Sequence, residues 1–417
     1  MKLGLAMLAK IAAGLLAALS LLAHGGDVAM KSCQTYPLDA FKQDSAETRE
    51  QCRRLADQGD LAAQTYVGLM YREGLGAPKD YDEAMKWFRK AAKQGYAPAQ
   101  ASVGEMYAGL VERKNMPFLG HDKTMQEAMK WFKLAAEQGY APAQVSLGRM
   151  YSGISGVPTD KAETMRLYRL AAEQGYLDGQ ISLANRYAER ARYEKDELEA
   201  AKSYAEAARW YRKAAEQGDN LSQLKLGRMY AKGRGVEKDD VEAVKWFRLA
   251  GQELELGKMY AEGRGVKKDE AEAVRLFRSV DKKGGGIGTQ QGDAQYELSK
   301  MYAEGRGVKK DDTEAVKWLK LSAGNMNSSA QLELGKRYAE GRGVEKDEDE
   351  AMKWYEKASQ EESGTAAFEI GKWHAGERCV ERIKSVRLCE DKAVWWYKEA
   401  AKKGHPEAKA ALQKMEK

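Results

Sequence analysis

The sequence predicts an all-α fold, a solenoid of about nine αα-hairpin repeats. Three observations carry that expectation. The stretch LGKMYAEGRGVKKDEAEAVRLF (256–277) nearly returns as LSKMYAEGRGVKKDDTEAVKWL (298–319) and LGKRYAEGRGVEKDEDEAMKWY (334–355). Apolar residues within each copy follow the helical rhythm, and an aspartate or a glycine stands at each expected helix boundary.

The apolar residue that opens the pattern L-G-x-x-Y falls at Val67, Val103, Leu147, Leu183, Leu226, Leu256, Leu298, Leu334 and Ile370. The steps are 36, 44, 36, 43, 30, 42, 36 and 36 residues, a 36-residue period with a few insertions and one deletion. Such a period is the mark of a solenoid. The chain of 417 residues is too long for one ordinary core, which agrees with repetition. A formal charge of +6, mixed in sign, is weaker than a nucleic-acid binder usually shows. His24, His121, His374 and His405 are scattered and suggest no metal cluster.

The N-terminus differs. Lys2 precedes an apolar run from Ile11 to Ala23 broken only by Ser20, the length of a signal-peptide core and short for a membrane span. The expectation is a signal peptide over 1–23, then a cap and half repeat over 24–58, and export to the periplasm or beyond. An uncleaved anchor that includes Leu3 to Lys10 is the alternative. After cleavage no membrane span remains. Cysteines suit that compartment and fall as two local pairs, Cys33 with Cys52 and Cys379 with Cys389. The second pair flanks VERIKSVRL, inserted where other repeats have GRGV.

Repeats occupy 59–404. In the first, Ala63, Val67, Met70 and Tyr71 mark one face of a first helix, and a small residue, Gly68, follows Val67 so that the partner helix can approach. Ala84, Trp87, Phe88, Ala91 and Ala92 mark the second helix, which stops at Gly95. Its start is a capping box, Asp80/Glu83, repeated as Asp160/Glu163, Asp239/Glu242, Asp269/Glu272, Asp311/Glu314 and Asp347/Glu350. Thr124/Glu127 and Ser203/Glu206 keep that spacing with a hydroxyl. GRGV lies between the helices, with no strand before it and no GK[ST] within it, so it turns the chain and does not hold phosphate. A charged helical insertion is expected over 191–204, a flexible loop over 280–293, and a helical cap over 405–417.

The pattern AQ-x-x-LG-x-MYAEGRGV-x-KD-x-x-EA-x-x-W-[FY]-x-x-A resembles the Sel-one-like repeat, a relative of the tetratricopeptide repeat, over residues 60 to 405. The resemblance implies hairpins stacked in a right-handed superhelix and an adaptor role in assembling other proteins. Cysteine-bridged bacterial members of this family are also linked to β-lactam binding. Two Ser-x-x-Lys tetrads, Ser222/Lys225 and Ser279/Lys282, bear on that reading, but no Lys-Thr-Gly or Ser-Asp-Asn accompanies them. A secreted effector directed at host cells or envelope assembly is the third reading.

No catalytic, metal or cofactor residue stands out, and the carboxylates read as helix caps and charged faces. The row Trp87, Trp131, Trp210, Trp246, Trp318, Trp354 and Trp396 reads as core. Positions that repeat serve the architecture, so a specific partner must be read by positions that vary. The slot before the key apolar residue is Tyr66, Ser102, Ser146 and Ser182 early in the chain and Glu255, Glu297, Glu333 and Glu369 late. Lys258, Lys300, Lys336 and Lys372 follow three residues on. These eight residues are the expected contacts for a protein or peptide partner on the concave face. Arg234, Arg264, Arg306 and Arg342 form a second row, expected in solvated loops.

Overall fold

Helical periodicity governs the whole chain, and the computed structural model describes Cys33 and residues 46–113, 118–153, 157–283, 289–360 and 363–415. The expected signal peptide lies outside the described residues, as does most of the segment before Ala46. Among the described residues there are twenty-one helices and no strand, an all-α repeat solenoid. Contacts divide the chain into unit 1, up to Gln217, and unit 2, from Gly218.

Unit 1 begins with α1 (Ala46–Asp57) and continues in hairpins α2/α3 (Leu61–Glu73, Tyr81–Ala92) and α4/α5 (Ala97–Arg113, Phe118–Glu137). Hairpins α6/α7 (Ala141–Tyr151, Lys161–Glu173) and α8/α9 (Leu177–Tyr193, Glu197–Glu216) complete it. Unit 2 holds α10/α11 (Asn220–Lys232, Asp240–Leu249), α12/α13 (Glu253–Glu262, Glu270–Lys283) and α14/α15 (Thr289–Glu304, Asp312–Gly324). It ends with α16/α17 (Ser328–Glu340, Glu348–Gln360), α18 (Gly364–Ala375), α19 (Glu377–Ile383), α20 (Val386–Lys402) and α21 (Ala408–Met415).

The small residue of each first helix has one recurring neighbour. A Cβ added at Gly68 would lie 2.5 Å from the ring of Phe88, and at Gly257 it would lie 2.4 Å from Phe277. Gly148 stands likewise against Tyr168, Gly227 against Phe247 and Gly335 against Tyr355. The aromatic after the slot held by tryptophan, or by Leu167 and Leu276, therefore fills the hairpin. The tryptophans are more peripheral than expected: Trp210 and Trp246 are buried, while Trp87, Trp131, Trp318, Trp354 and Trp396 are half-buried. Trp318 packs on the cluster around Phe277 and Leu298, and Trp354 on that around Leu319 and Leu334. Lysines cover some outer ring faces, with Lys357 Nζ 4.0 Å from the Trp354 centroid.

Six aspartates cap second helices as expected; Asp80 accepts from Glu83 N at 3.0 Å and Asp269 from Glu272 N at 2.9 Å. The cap's own N–H, however, donates to a tyrosine carbonyl of the preceding helix, as from Asp239 to Tyr230 O at 3.1 Å. The box glutamate instead pairs one turn on, Glu314 with Lys317 at 2.8 Å. The hydroxyl caps are corrected. Thr124 lies inside α5 and Ser203 inside α9, because both helices start earlier; Asp196 caps α9 through Glu199 N at 2.9 Å. The insertion thus lengthens α8 and α9 to 17 and 20 residues. The expected loop over 280–293 shrinks, since α13 reaches Lys283 and α14 starts at Thr289.

Both glycines of each GRGV turn are left-handed, Gly305 at φ 74° and Gly307 at φ 65°. The first ends the helix, as in Gly341 N–H to Arg337 O at 2.9 Å. The second closes against another hairpin: a Cβ on Gly307 would lie 2.2 Å from the carbonyl oxygen of Glu270 at the start of α13.

Polar ties join successive hairpins within each unit. In unit 1 the buried glutamine of the AQ pair donates to the end of the previous helix and accepts from the next repeat. Gln144 bonds Ala136 O at 3.4 Å and receives Gln174 at 2.9 Å. Arg169 donates to the hydroxyl of Tyr187 at 2.5 Å, and Arg248 to Tyr260 at 2.9 Å.

Both expected disulfides form, with Cα–Cα distances of 6.0 Å for Cys33–Cys52 and 5.9 Å for Cys379–Cys389. The second joins Cys379 within α19 to Cys389 within α20 across the enlarged turn, and closing a loop of this size contributes about 2–3 kcal/mol. His374 takes the tyrosine slot here, its Nδ1 3.4 Å from Cys379 Sγ. Burial, then the Lys392 charge, lowers its pKa below 6.5. The unfolded chain therefore binds this proton more readily, so the contribution is full above pH 6.5 and is lost as pH falls through the folded value. Urea midpoints at pH 7.5 and 5.0 should fall more in the native protein than in His374→Tyr; equal falls would assign the acid sensitivity elsewhere.

Candidate protein-interaction surface

The late-chain glutamates recur at one register of α12, α14, α16 and α18, held there by the buried leucine or isoleucine beside each. All four are half-buried. The expected Glu–Lys pairs form in two repeats: Glu297 meets Lys300 at 2.6 Å and Glu369 meets Lys372 at 2.6 Å. In the other two an arginine takes the carboxylate. Arg228 reaches Glu255 at 2.6 Å, and the buried Arg337 reaches Glu333 at 3.2 Å and Asp312 at 2.5 Å. Lys258 and Lys336 then form no ion pair among the described residues. Where the pairs form, the carboxylate is the deeper partner, 19% exposed at Glu297 against 36% at Lys300.

Those carboxylates shape the local field. Burial, reinforced by Glu333 and Glu297, pushes the Tyr296 phenol up; burial, then Glu369, Glu340 and Glu333, does so more strongly at Tyr355.

The arginine row divides: Arg234 and Arg342 are exposed, as expected, Arg306 pairs with Glu304 of its own hairpin at 2.7 Å, and Arg264 differs. Arg264 donates to Asp240 Oδ1 at 2.6 Å and to Ala231 O at 3.1 Å, and its hydrogen bonds hold the Asp240 carboxyl below its usual range. Arg342 lies 3.7 Å from Asp312, and Arg378 pairs with Glu348. Each reaches the first turn of an earlier second helix, where an acidic residue also favours the helix dipole. Arg264, Arg342 and Arg378 therefore tie hairpins together. No sequence expectation included Arg228 or Arg337, although both stand on first helices beside the charged register.

The Ser222/Lys225 tetrad lacks access. Ser222 is 1% exposed, and burial lowers the pKa of Lys225. Ser279 Oγ instead donates to Glu253 at 3.1 Å. Among the described residues no three His, Cys, Asp or Glu side chains converge to hold a metal ion, and no helix is long and apolar enough to cross a membrane.

An all-α repeat-solenoid scaffold is the class that this fold and surface define. The Sel1 repeat profile matches residues 61–96, 119–140, 141–176, 181–219, 220–253, 253–279, 292–325, 328–363 and 390–405. The chain belongs to the Sel1 repeat family. A shorter match, to a polyglycine hydrolase-like structural repeat, covers 80–113. Among solved structures, the chain resembles c5321, a protective antigen of uropathogenic Escherichia coli with an SLR fold. Identity is 34%, the TM-score is 0.66, and the match covers 87% of this chain and 73% of that one. A Sel1 repeat protein from Oxalobacter formigenes is 31% identical with a TM-score of 0.54, over 82% of this chain and 93% of that one. No curated protein matches.

Proposed function

We propose that this protein is an exported scaffold that binds a partner protein through a charged, extended segment laid across the first helices of α12, α14, α16 and α18. The observation that carries this reading is the recurrence of glutamate and lysine at one register, Glu255, Glu297, Glu333 and Glu369 with Lys258, Lys300, Lys336 and Lys372. Intrahelical pairs of this kind stabilise a helix by only about 0.2–0.5 kcal/mol, so a partner bearing the same alternation can exchange with them. Unlike the arginines, the Glu297/Lys300 and Glu369/Lys372 pairs close within their own helices and tie no hairpins. Two bonded cysteine pairs and the similarity to a protective antigen support an extracytoplasmic location.

Exchanging the charges within both pairs (Glu297→Lys with Lys300→Glu, and Glu369→Lys with Lys372→Glu) leaves the net charge of each helix unchanged and tests the reading. A crosslinking pulldown from the native cell should recover a partner at low salt with the native protein, lose it at high salt, and lose it with the exchanged protein. Equal recovery by both proteins would move the binding surface elsewhere. Fractionation of the source cells tests export.

A further inference from the structure

We infer that the overlong hairpin α8/α9 forms, with α7, a second binding site that takes an acidic segment of a protein partner carrying apolar side chains. A cavity of 530 Å³ opens here, lined among others by Lys161, Met165, Arg186, Arg190, Tyr193 and Glu194. It owes its far wall to the insertion. First helices such as α10 and α12 end at a left-handed glycine, whereas α8 runs on to Tyr193. Arg186, Arg190 and Tyr193 recur three and four residues apart and so share one face of α8, as Lys161 and Met165 share one face of α7.

The charges on that lining are unequal. Arg186 is held by Glu189 at 2.8 Å, and Glu194 accepts the backbone N–H of Lys195 at 2.9 Å and of Asp196 at 3.3 Å. Arg190 and Lys161 have no ion pair among the described residues, which leaves two exposed cations at the mouth. Beside them Tyr193 is 75% exposed, and Leu198 across the tip is 65% exposed. The field has the same sign nearby: against the dominant effect of burial, Arg186 and Arg149 draw the Tyr168 phenol down. Two exposed cations without an ion pair among the described residues, next to exposed apolar side chains, complement glutamate or aspartate alternating with leucine-like residues. Nothing in the stacking of hairpins requires α8 to overrun, since α10 and α12 stack without it, although α4, also 17 residues long, likewise runs on.

The test uses the full-length protein and a fluorescein-labelled decapeptide of alternating glutamate and leucine, read by fluorescence anisotropy. A matched peptide of lysine and leucine is the control. Saturable binding of the glutamate peptide alone is expected, weakened about tenfold or more by Arg190→Glu with Lys161→Glu. Both residues are exposed, so helicity and melting of the variant should match the native protein. No binding, equal binding of the lysine peptide, or binding that survives the double reversal would overturn the assignment. The groove pairs of unit 2 are untouched in this variant, so its outcome is independent of theirs.

Discussion

Phe277→Ala should lower the stability of the protein by about 3–5 kcal/mol, the usual cost of emptying a large aromatic site in a core. The ring is fully buried against Leu254, Val274, Leu298 and Met301, and it lies over Gly257, whose missing side chain makes the room. Helix backbones on both sides are fixed by caps and by Gly257 itself, so the site collapses poorly. Because repeats touch mainly their neighbours, the loss should also broaden or divide the thermal transition followed by circular dichroism. A single transition at the native midpoint would mean that another side chain fills the hairpin.

The second large effect concerns a turn. Gly307→Ala should destabilise by about 3 kcal/mol or more, while Gly305→Ala, two residues earlier, should cost only about 1–2 kcal/mol. Both substitutions pay the left-handed strain, at φ 65° and 74°. They differ in what the new methyl meets. At Gly305 the nearest atom is Lys310 Cβ at 3.1 Å, which has to yield by only a few tenths of an ångström. At Gly307 it is the Glu270 carbonyl oxygen at 2.2 Å, part of another hairpin's backbone. Chemical denaturation of both variants decides it: equal losses would show that only the left-handed conformation is at stake.

The fold was readable because its local signals coincide. Asp269, Glu272, the small residue beside each key leucine, and the glycines each report on atoms within one hairpin, and each stands at a fixed offset. Ties between hairpins were not readable in the same way. Gln144 and Gln174 lie 30 residues apart, and Arg264 and Asp240 lie 24 apart. Since every repeat carries similar residues, repetition alone does not say whether Arg264 bonds its own loop, another hairpin or water. The lost cap at Ser203 has a simpler cause: it kept the spacing of a helix start, but the good helix formers from Glu197 to Lys202 carried the helix past it. Of the charged register, the positions were legible and half of the partners were not. Arg228 and Arg337 sit at slots occupied by lysine or by methionine and other residues elsewhere, so no periodic signal marked them.

The ties have a direction. Each hairpin meets its two neighbours with two different surfaces, the arrangement by which identical subunits polymerise head to tail. A covalent chain of such hairpins would keep growing by association if its last member still presented a receptive side. Here α21 closes that side in unit 2, laying Ala408, Leu412 and Met415 over Phe368 and Tyr397. A molecule cut after Lys402 would expose an adhesive end, and self-association dependent on concentration would follow from the same contacts that fold the native chain.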